Sequence, residues 1–166
     1  MEANAVERDH NQYLTFMLEQ EVLAIGILSI KEILEYEQPT AVPMMPDFIR
    51  GVINLRGAVV PVVDLAVRLS RNPSRIDKKS CIVIVEARIG DETQVMGLCV
   101  DAVNAVLEIA ASDIEPPPAM ASFVAAEYLA GLGRVEGRFV IILDVNKVLT
   151  TGQSDTTAQV VGLAAA

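Results

Sequence analysis

Side chains able to do acid–base or nucleophilic chemistry are few in this chain of 166 residues. His10 is the only histidine and lies in the polar N-terminal stretch, so neither a zinc site nor a Ser-His-Asp triad can be built around it. Glu32, Glu35 and Glu37 lie close together in sequence, as the carboxylate pair of a glycosidase would. A charged, solvent-exposed face is the more common reason for such spacing. This acid–base inventory is too poor for an enzyme.

Short glycine-containing stretches superficially resemble phosphate-binding loops. Their glycines are Gly51, Gly57, Gly131, Gly133 and Gly137. None belongs to a GxxxxGK[ST] pattern or directly precedes a predicted helix, as a phosphate loop would require. We interpret them as turn glycines and expect no cofactor and no metal.

The elements that carry these residues are duplicated. Residues 46–65, PDFIRGVINLRGAVVPVVDL, are followed 80 positions later by the variant EYLAGLGRVEGRFVIILDVN at 127–146. Upstream, an offset of 73 aligns residues 24–27 with 97–100. Because the offset grows from 73 to 80, about seven residues are inserted in the second copy, most plausibly within 117–126. The glycines and aspartates match between the copies, which indicates a structural repeat.

Alternating apolar residues predict two β-hairpins and a further strand. The predicted strands span 13–18, 22–28, 58–63, 80–85 and 95–100. Gly57 is predicted to supply a tight turn or a positive φ before the 58–63 strand. The hairpin of the 80–85 and 95–100 strands is predicted to turn around Gly90, Asp91 and Glu92, within a long loop at 86–94.

Helical turns are predicted where the alternation of apolar residues stops, at 28–34 and 103–107. Asp64 and Asp144 each precede a short apolar segment and are predicted to cap short helices. Duplicated short strands predict an all-β protein with short helices, arranged as two small barrels. Each half has about 60 residues and is marginal alone, so the two should share an apolar seam.

At two positions the copies carry different types of residue. Because both copies share the requirements of the fold, such differences can mark residues with a functional role. The mismatched pairs are Glu32 against Ala105 and Arg56 against Glu136. Sequence drift explains them equally well. Ile30 and Val103 occupy matched positions beside the predicted seam and could be core or interface residues.

Composition limits the class of partner. The chain is 52% hydrophobic with a formal net charge of −9, four Phe, three Tyr and no Trp. Such a chain can bury a core, but it repels phosphate backbones and lacks a basic aromatic face, so we expect no nucleic-acid partner. Five basic residues between the two copies are interpreted as a solvated linker: Arg68, Arg71, Arg75, Lys78 and Lys79.

The N-terminal stretch, MEANAVERDHNQ, is polar, and no segment approaches the length of a membrane span. We therefore expect a cytoplasmic protein without direct membrane insertion. Cys81 and Cys99 lie in strand-like apolar runs and are expected to be buried free thiols, although a disulfide between them is possible.

The 46–65 segment closely resembles the signature of the CheW chemotaxis coupling-protein family, Pro-x-Phe-Ile/Val-x-Gly-Val-x-Asn-Leu-Arg-Gly followed by Pro-Ile/Val-Val/Ile-Asp-Leu. The resemblance continues through residues 30–33, 97–107 and 127–149 and covers about 13–150. It implies two intertwined five-stranded SH3-like barrels in residues 13–150, and we expect a flexible leader at 1–12 and a flexible tail at 151–166. No kinase or receiver sequence is present, which favours the stand-alone coupler.

The resemblance implies a non-catalytic scaffold that couples the cytoplasmic tips of methyl-accepting chemoreceptors to the regulatory domain of a CheA-type histidine kinase. Recruitment to membrane-associated receptor arrays would follow. The residues it implicates in receptor binding or kinase control are Ile30, Glu32, Gly51, Arg56, Gly97, Val103 and Val106. Ser80 and Cys81 match a kinase-contacting region, although Cys81 departs from the aliphatic residue common there.

This role is physically coherent, because a receptor tip is a helical hairpin. An apolar groove lined by Ile30, Val103 and Val106 can receive one face of an amphipathic helix, with Glu32 and Arg56 setting its register. Two alternatives stay open: an adaptor of a pilus-based or other non-flagellar chemosensory pathway, and a small-barrel nucleic-acid-binding module.

Overall fold

A computed structural model describes residues 12–69, 71–116 and 126–150. In these ranges the chain forms short strands joined by tight turns, with two short α-helices, α1 (Leu65–Arg68) and α2 (Val145–Thr150). The strands are β1 (Gln12–Leu18), β2 (Glu21–Gly26), β3 (Ile30–Glu35), β4 (Ile49–Leu55), β5 (Ala58–Asp64), β6 (Cys81–Ile89), β7 (Glu92–Val100), β8 (Ala102–Glu108), β9 (Ile114–Glu115), β10 (Leu129–Val135) and β11 (Arg138–Leu143).

The strands form two curved sheets. One has five strands in the order β3-β6-β7-β5-β4, and we call it barrel one. The other, barrel two, has the order β8-β1-β2-β11-β10-β9, in which β9 contributes only two residues. The predicted fold class, all-β with short helices in two small barrels, is confirmed.

The two copies exchange their hairpins. The β6–β7 hairpin of the second copy completes barrel one, and the β1–β2 hairpin of the first copy completes barrel two. The exchange keeps the repeat in register: Val62 pairs with Gly97 in barrel one, and their counterparts Ile142 and Ala24 pair in barrel two. This exchange is what makes the barrels intertwined.

Matching turns join the strands that carry the repeated motif. Arg56 and Gly57, between β4 and β5, have φ values of 53° and 87°, and Glu136 and Gly137 have 50° and 77°. Positive φ at both central residues defines a type I′ hairpin turn, whose twist suits the flanking strands. The Asn54 Oδ1 accepts a hydrogen bond from the Gly57 amide at 2.8 Å and supports the first turn. The positive φ predicted for Gly57 is confirmed.

Both predicted caps are also confirmed. The Asp64 Oδ1 accepts a hydrogen bond from the Val67 amide at 3.4 Å, and the Asp144 Oδ1 accepts one from the Lys147 amide at 3.2 Å. Each carboxylate satisfies an amide that the first helical turn leaves unpaired.

One apolar cluster, here called the main core, draws on both sheets and both helices. It includes Phe16 and Leu23 from barrel two and Val83 and Leu98 from barrel one, all almost fully buried. A smaller cluster lies inside each barrel, around Ile84 in barrel one and around Ile142 and its neighbours in barrel two.

Three predictions of local structure were wrong in part. Residues 30–35 and 102–108 are strands rather than helical turns, although a short 3-10 turn, Ile27–Ser29, does follow β2 as predicted. Both strands are held by ladders to β6 and β1, and this pairing overrides the helix propensity of the intervening lysine and glutamates. The hairpin with its turn around Gly90 and Asp91 is confirmed, but the long loop predicted at 86–94 is wrong, because its residues are paired: Arg88 still pairs with Thr93.

Three regions named from sequence lie wholly or largely outside the described residues. They are the leader at 1–12, of which only Gln12 is described, the insertion at 117–126 and the tail at 151–166.

Candidate functional site

The structure brings the two mismatched residues of the first copy together. Glu32 lies on β3 and Arg56 in the turn between β4 and β5, at opposite edges of the five-stranded sheet. Curvature of the barrel closes this gap, and two guanidinium nitrogens donate to the two carboxylate oxygens at 2.5 and 3.0 Å. A bidentate pair of this kind fixes the orientation of both groups.

This ion pair faces solvent on one side. The Arg56 side chain is 72% exposed and that of Glu32 is 26% exposed. The hydrogen bond from Arg56 lowers the pKa of Glu32, and the hydrogen bond to Glu32 raises the pKa of Arg56. Both groups therefore stay charged at neutral pH.

Beside the ion pair lies an open groove with apolar walls. Leu55, Val59 and Val95 contribute to it, together with Lys31 and Gln94. Val59 is 46% exposed, which is high for a valine on a strand. Charge at the rim and apolar surface in the groove suit a protein side chain or helix better than a small polar substrate.

The two glycines implicated by resemblance lie inside barrel one. A Cβ on Gly51 would lie 2.2 Å from the Thr40 carbonyl oxygen, and the φ of Gly51 is 145°. A Cβ on Gly97 would lie 2.7 Å from Ile82 Cγ2. At both positions the absence of a side chain lets a neighbouring segment pack closely against the strand. Neither glycine offers a side chain to a partner protein.

The three apolar residues predicted to line one groove have different surroundings. Ile30 and Val103 are half-buried and pack against the main core, whereas Val106 is 50% exposed. Their strands lie at the edges of different sheets. Ile33, at the position on β3 that matches Val106, is 43% exposed, so each edge strand presents one apolar side chain.

Ser80 and Cys81 open β6. Ser80 is 3% exposed, and its hydroxyl accepts a hydrogen bond from the Asp77 amide at 2.9 Å. Cys81 is half-buried and Cys99 fully buried, and both are free thiols, as expected. Burial raises the pKa of Cys81 and raises that of Cys99 to about 12, so neither is an active nucleophile at neutral pH.

Sequence reasoning missed a buried polar cluster around Asp64. Its carboxylate accepts hydrogen bonds from Arg50 at 2.7 Å and from the amide and hydroxyl of Ser74 at 3.1 and 2.9 Å. Arg50 has Ala130 at its matched position. This mismatch is of the same kind as those at Glu32 and Arg56 and is visible in the sequence.

The basic segment after β5 is not wholly the solvated linker predicted from sequence. Arg68 is 5% exposed and lies between the rings of Phe48 and Tyr128, whose centroids are 5.1 and 5.0 Å from its guanidinium carbon. It donates to the Tyr128 hydroxyl at 2.7 Å. Arg71 binds Glu21 at 2.6 Å. The attraction of the cation to the two rings and the hydrogen bond to the hydroxyl offset the cost of burying the Arg68 charge.

Within the described part of the chain, no group of three histidine, cysteine or acidic side chains is arranged to hold a metal ion. In the same residues, no helix is long and apolar enough to cross a membrane.

Comparison with known proteins identifies the family of this chain. The profile of the CheW-like domain matches residues 12–153. The chain belongs to the CheW-like family. It is 38% identical over 140 residues to the chemotaxis protein CheW of Klebsiella aerogenes, covering 84% of this chain and 82% of that protein.

Other relatives in the CheW-like family extend the comparison. The protein FrzA of Myxococcus xanthus is 29% identical over 157 residues, covering 93% of this chain and 95% of that protein. The crystal structure of the scaffolding protein TtCheW from Thermoanaerobacter tengcongensis superposes with a TM-score of 0.76 at 30% identity, covering 86% of this chain and 89% of that one. The chain is thus a chemotaxis adaptor of the CheW-like family with the SH3-like barrel fold.

Proposed function

We propose that this adaptor couples the cytoplasmic tips of chemoreceptors to the regulatory domain of a CheA-type histidine kinase, without catalysis of its own. The observation that supports this most directly is the bidentate Glu32–Arg56 pair, which is exposed, fixed in orientation and present in only one of two barrels with the same strand order. A pair needed only for folding would be expected in both copies.

The receptor tip, as a helical hairpin, can present an amphipathic face to such a surface. Val106 provides an exposed apolar contact, and Glu32 and Arg56 provide charges that fix the register of a docked helix and disfavour mismatched partners. Ile30 and Val103 contribute indirectly to receptor binding. They pack against the main core and so hold the edge strands in place.

The kinase contact is proposed at the start of β6. Because Ser80 is buried, its role there is to fix the chain through its hydroxyl, while the half-buried Cys81 borders the surface. A kinase regulatory domain of the same fold can pack barrel end to barrel end, and repeated contacts of this type would build the receptor arrays to which the adaptor is recruited.

A charge-reversal series tests the coupling role. Receptor arrays reconstituted with the kinase are supplied with wild-type protein, Arg56→Glu, Glu32→Arg or the double reversal, and kinase activation is measured. We expect Arg56→Glu to weaken receptor binding about tenfold and to lose kinase activation, with a nearly unchanged melting temperature, because exposed ion pairs add little stability. The double reversal restores the attraction but not the orientation, so it should remain inactive.

The matched control is Glu136→Arg, which places arginine in the equivalent turn of barrel two with nearly the same backbone. It should activate the kinase normally. Full activation by a stably folded Arg56→Glu protein would refute the proposed role of Arg56. Rescue by the double reversal, or a large drop in melting temperature of the single variants, would show that the pair merely braces barrel one.

A further inference from the structure

The half-buried Arg50 of barrel one has no counterpart in barrel two, although its carboxylate partner Asp64 does. In barrel one, Arg50 reaches the Asp64 Oδ2 at 2.7 Å and lies over the Tyr36 ring at 5.8 Å. It is also close enough to Cys99 for its charge to oppose the burial that raises the pKa of that thiol.

In barrel two, the equivalent space is a cavity. The repeat places Ala130 where Arg50 stands, Gly26 where Cys99 stands and Asp144 where Asp64 stands, and all three line this cavity of about 370 Å³. Two side chains have become smaller while the carboxylate is retained. The cavity therefore occupies the position that the guanidinium fills in barrel one.

Among the described residues, the carboxylate in this cavity accepts a hydrogen bond through only one of its oxygens. The Asp144 Oδ1 caps α2 through the Lys147 amide at 3.2 Å, as the Asp64 Oδ1 caps α1 through Val67. In barrel one the Asp64 Oδ2 accepts hydrogen bonds from Arg50 at 2.7 Å and from the Ser74 amide at 3.1 Å. Within the described residues, the Asp144 Oδ2 has no hydrogen-bond partner.

We propose that this cavity binds the guanidinium group of an arginine side chain on a partner protein, which would take the place that Arg50 fills internally in barrel one. Leu28, 63% exposed at the cavity wall, and the neighbouring Ile27 can cover the aliphatic stem of the incoming side chain. The planar fork of arginine can bind the carboxylate with a fixed orientation, which lysine cannot do. This site is separate from the Glu32–Arg56 surface and does not depend on the proposed coupling role.

The direct test is an amide chemical-shift titration of the protein with Nα-acetyl-arginine N-methylamide, its lysine counterpart and free arginine. We expect saturable shifts at Gly26, Leu28 and Ala130 with the blocked arginine and at least ~tenfold weaker binding of the lysine compound. Equal binding of lysine, shifts elsewhere or no saturation would overturn the proposal. Tighter binding of free arginine than of the blocked compound would identify a free amino acid rather than a partner side chain and would overturn it as well.

Three variants test whether the chemical-shift changes arise from binding in this cavity. Asp144→Asn should abolish the shifts while keeping the helix cap, and Ala130→Arg should abolish them by filling the cavity from within. Glu136→Gln removes a carboxylate elsewhere on barrel two and should leave binding unchanged. If Asp144→Asn retains binding, or if Glu136→Gln loses it, the shifts report general charge attraction and the proposed site is wrong.

Discussion

The two barrels have the same strand order but different polar contacts. Barrel one holds the Arg50–Asp64 pair and the Glu32–Arg56 pair. Barrel two has neither, because alanine replaces one member of each pair; it carries instead an exposed Arg134–Glu115 pair at 2.8 Å. Both barrels fold, so the fold itself requires paired strands, turn glycines and helix caps. The polar pairs of barrel one are additions, and they indicate where one copy has specialised.

Where the two copies contact each other, matched residues share one polar partner instead of having different ones. Phe48 and Tyr128 are matched residues, and both rings contact the single guanidinium of Arg68. The position matched to Arg68 is Val148, which is buried in the main core. Two matched rings therefore share one arginine, supplied by the first copy alone.

The largest expected difference between the barrels concerns matched glycines. Gly51→Ala places a Cβ 2.2 Å from the Thr40 carbonyl oxygen at a positive φ, whereas Gly131→Ala meets Ile114 Cγ2 at 2.8 Å and the Glu115 carbonyl oxygen at 2.9 Å. We expect losses of unfolding free energy of about 4 kcal/mol for Gly51→Ala and about 2 kcal/mol for Gly131→Ala, measured by urea unfolding. Equal losses would show that backbone strain at Gly51 is unimportant.

The second-largest expected difference is in the stability lost when each of the matched aspartates, Asp64 and Asp144, is replaced. Asp64→Asn removes the charge that faces Arg50 in a nearly buried site and should cost about 2 kcal/mol, less than a fully buried pair because Arg50 is partly exposed. Asp144→Asn keeps a good cap and should cost less than ~0.5 kcal/mol. Thermal melts of the two variants in parallel provide the measurement. A larger loss for Asp144→Asn would mean that its carboxylate has a structural partner.

The edge strands offer a matched pair for receptor binding. Val106→Asp on β8 should weaken binding of a receptor-tip fragment about tenfold, because the new charge would be desolvated on docking. Ile33→Asp on β3, at the equivalent and similarly exposed position, should leave binding unchanged. Both should alter stability by about 0.5 kcal/mol or less. Calorimetric titration gives the affinities. Equal weakening by both variants would contradict the prediction that the receptor contacts β8 and not the exposed face of β3.

The smallest expected effect is the titration of Glu32. Arg56 lowers its pKa below the ordinary value of 4.5, so the pair persists as pH falls through that value and is lost only in more acidic solution. Carboxyl NMR should show the midpoint of Glu32 rising toward its ordinary value in Arg56→Met. An unchanged midpoint would mean that the pair does not persist in solution.

The candidate site was only partly predictable. Resemblance and the broken repeat both pointed to Glu32 and Arg56, but their ion pair depends on barrel closure between residues 24 positions apart. Gly51 and Gly97 were also named from resemblance, yet the structure gives them packing environments. The mismatch of Arg50 with Ala130 carries the same signal, but its partner Asp64 already has a local explanation as a helix cap.

The sequence by itself determined the duplication, most strand positions, the turn at Gly57 and the caps at Asp64 and Asp144. These features are local: they follow from alternation, from the φ range of glycine and from hydrogen bonds spanning three residues. Only the tertiary structure decided that 30–35 and 102–108 are strands, because their ladders lie on β6 and β1. It also decided the exchange of hairpins and the burial of Arg68 between Phe48 and Tyr128, because these contacts join distant segments whose pairing no local pattern specifies.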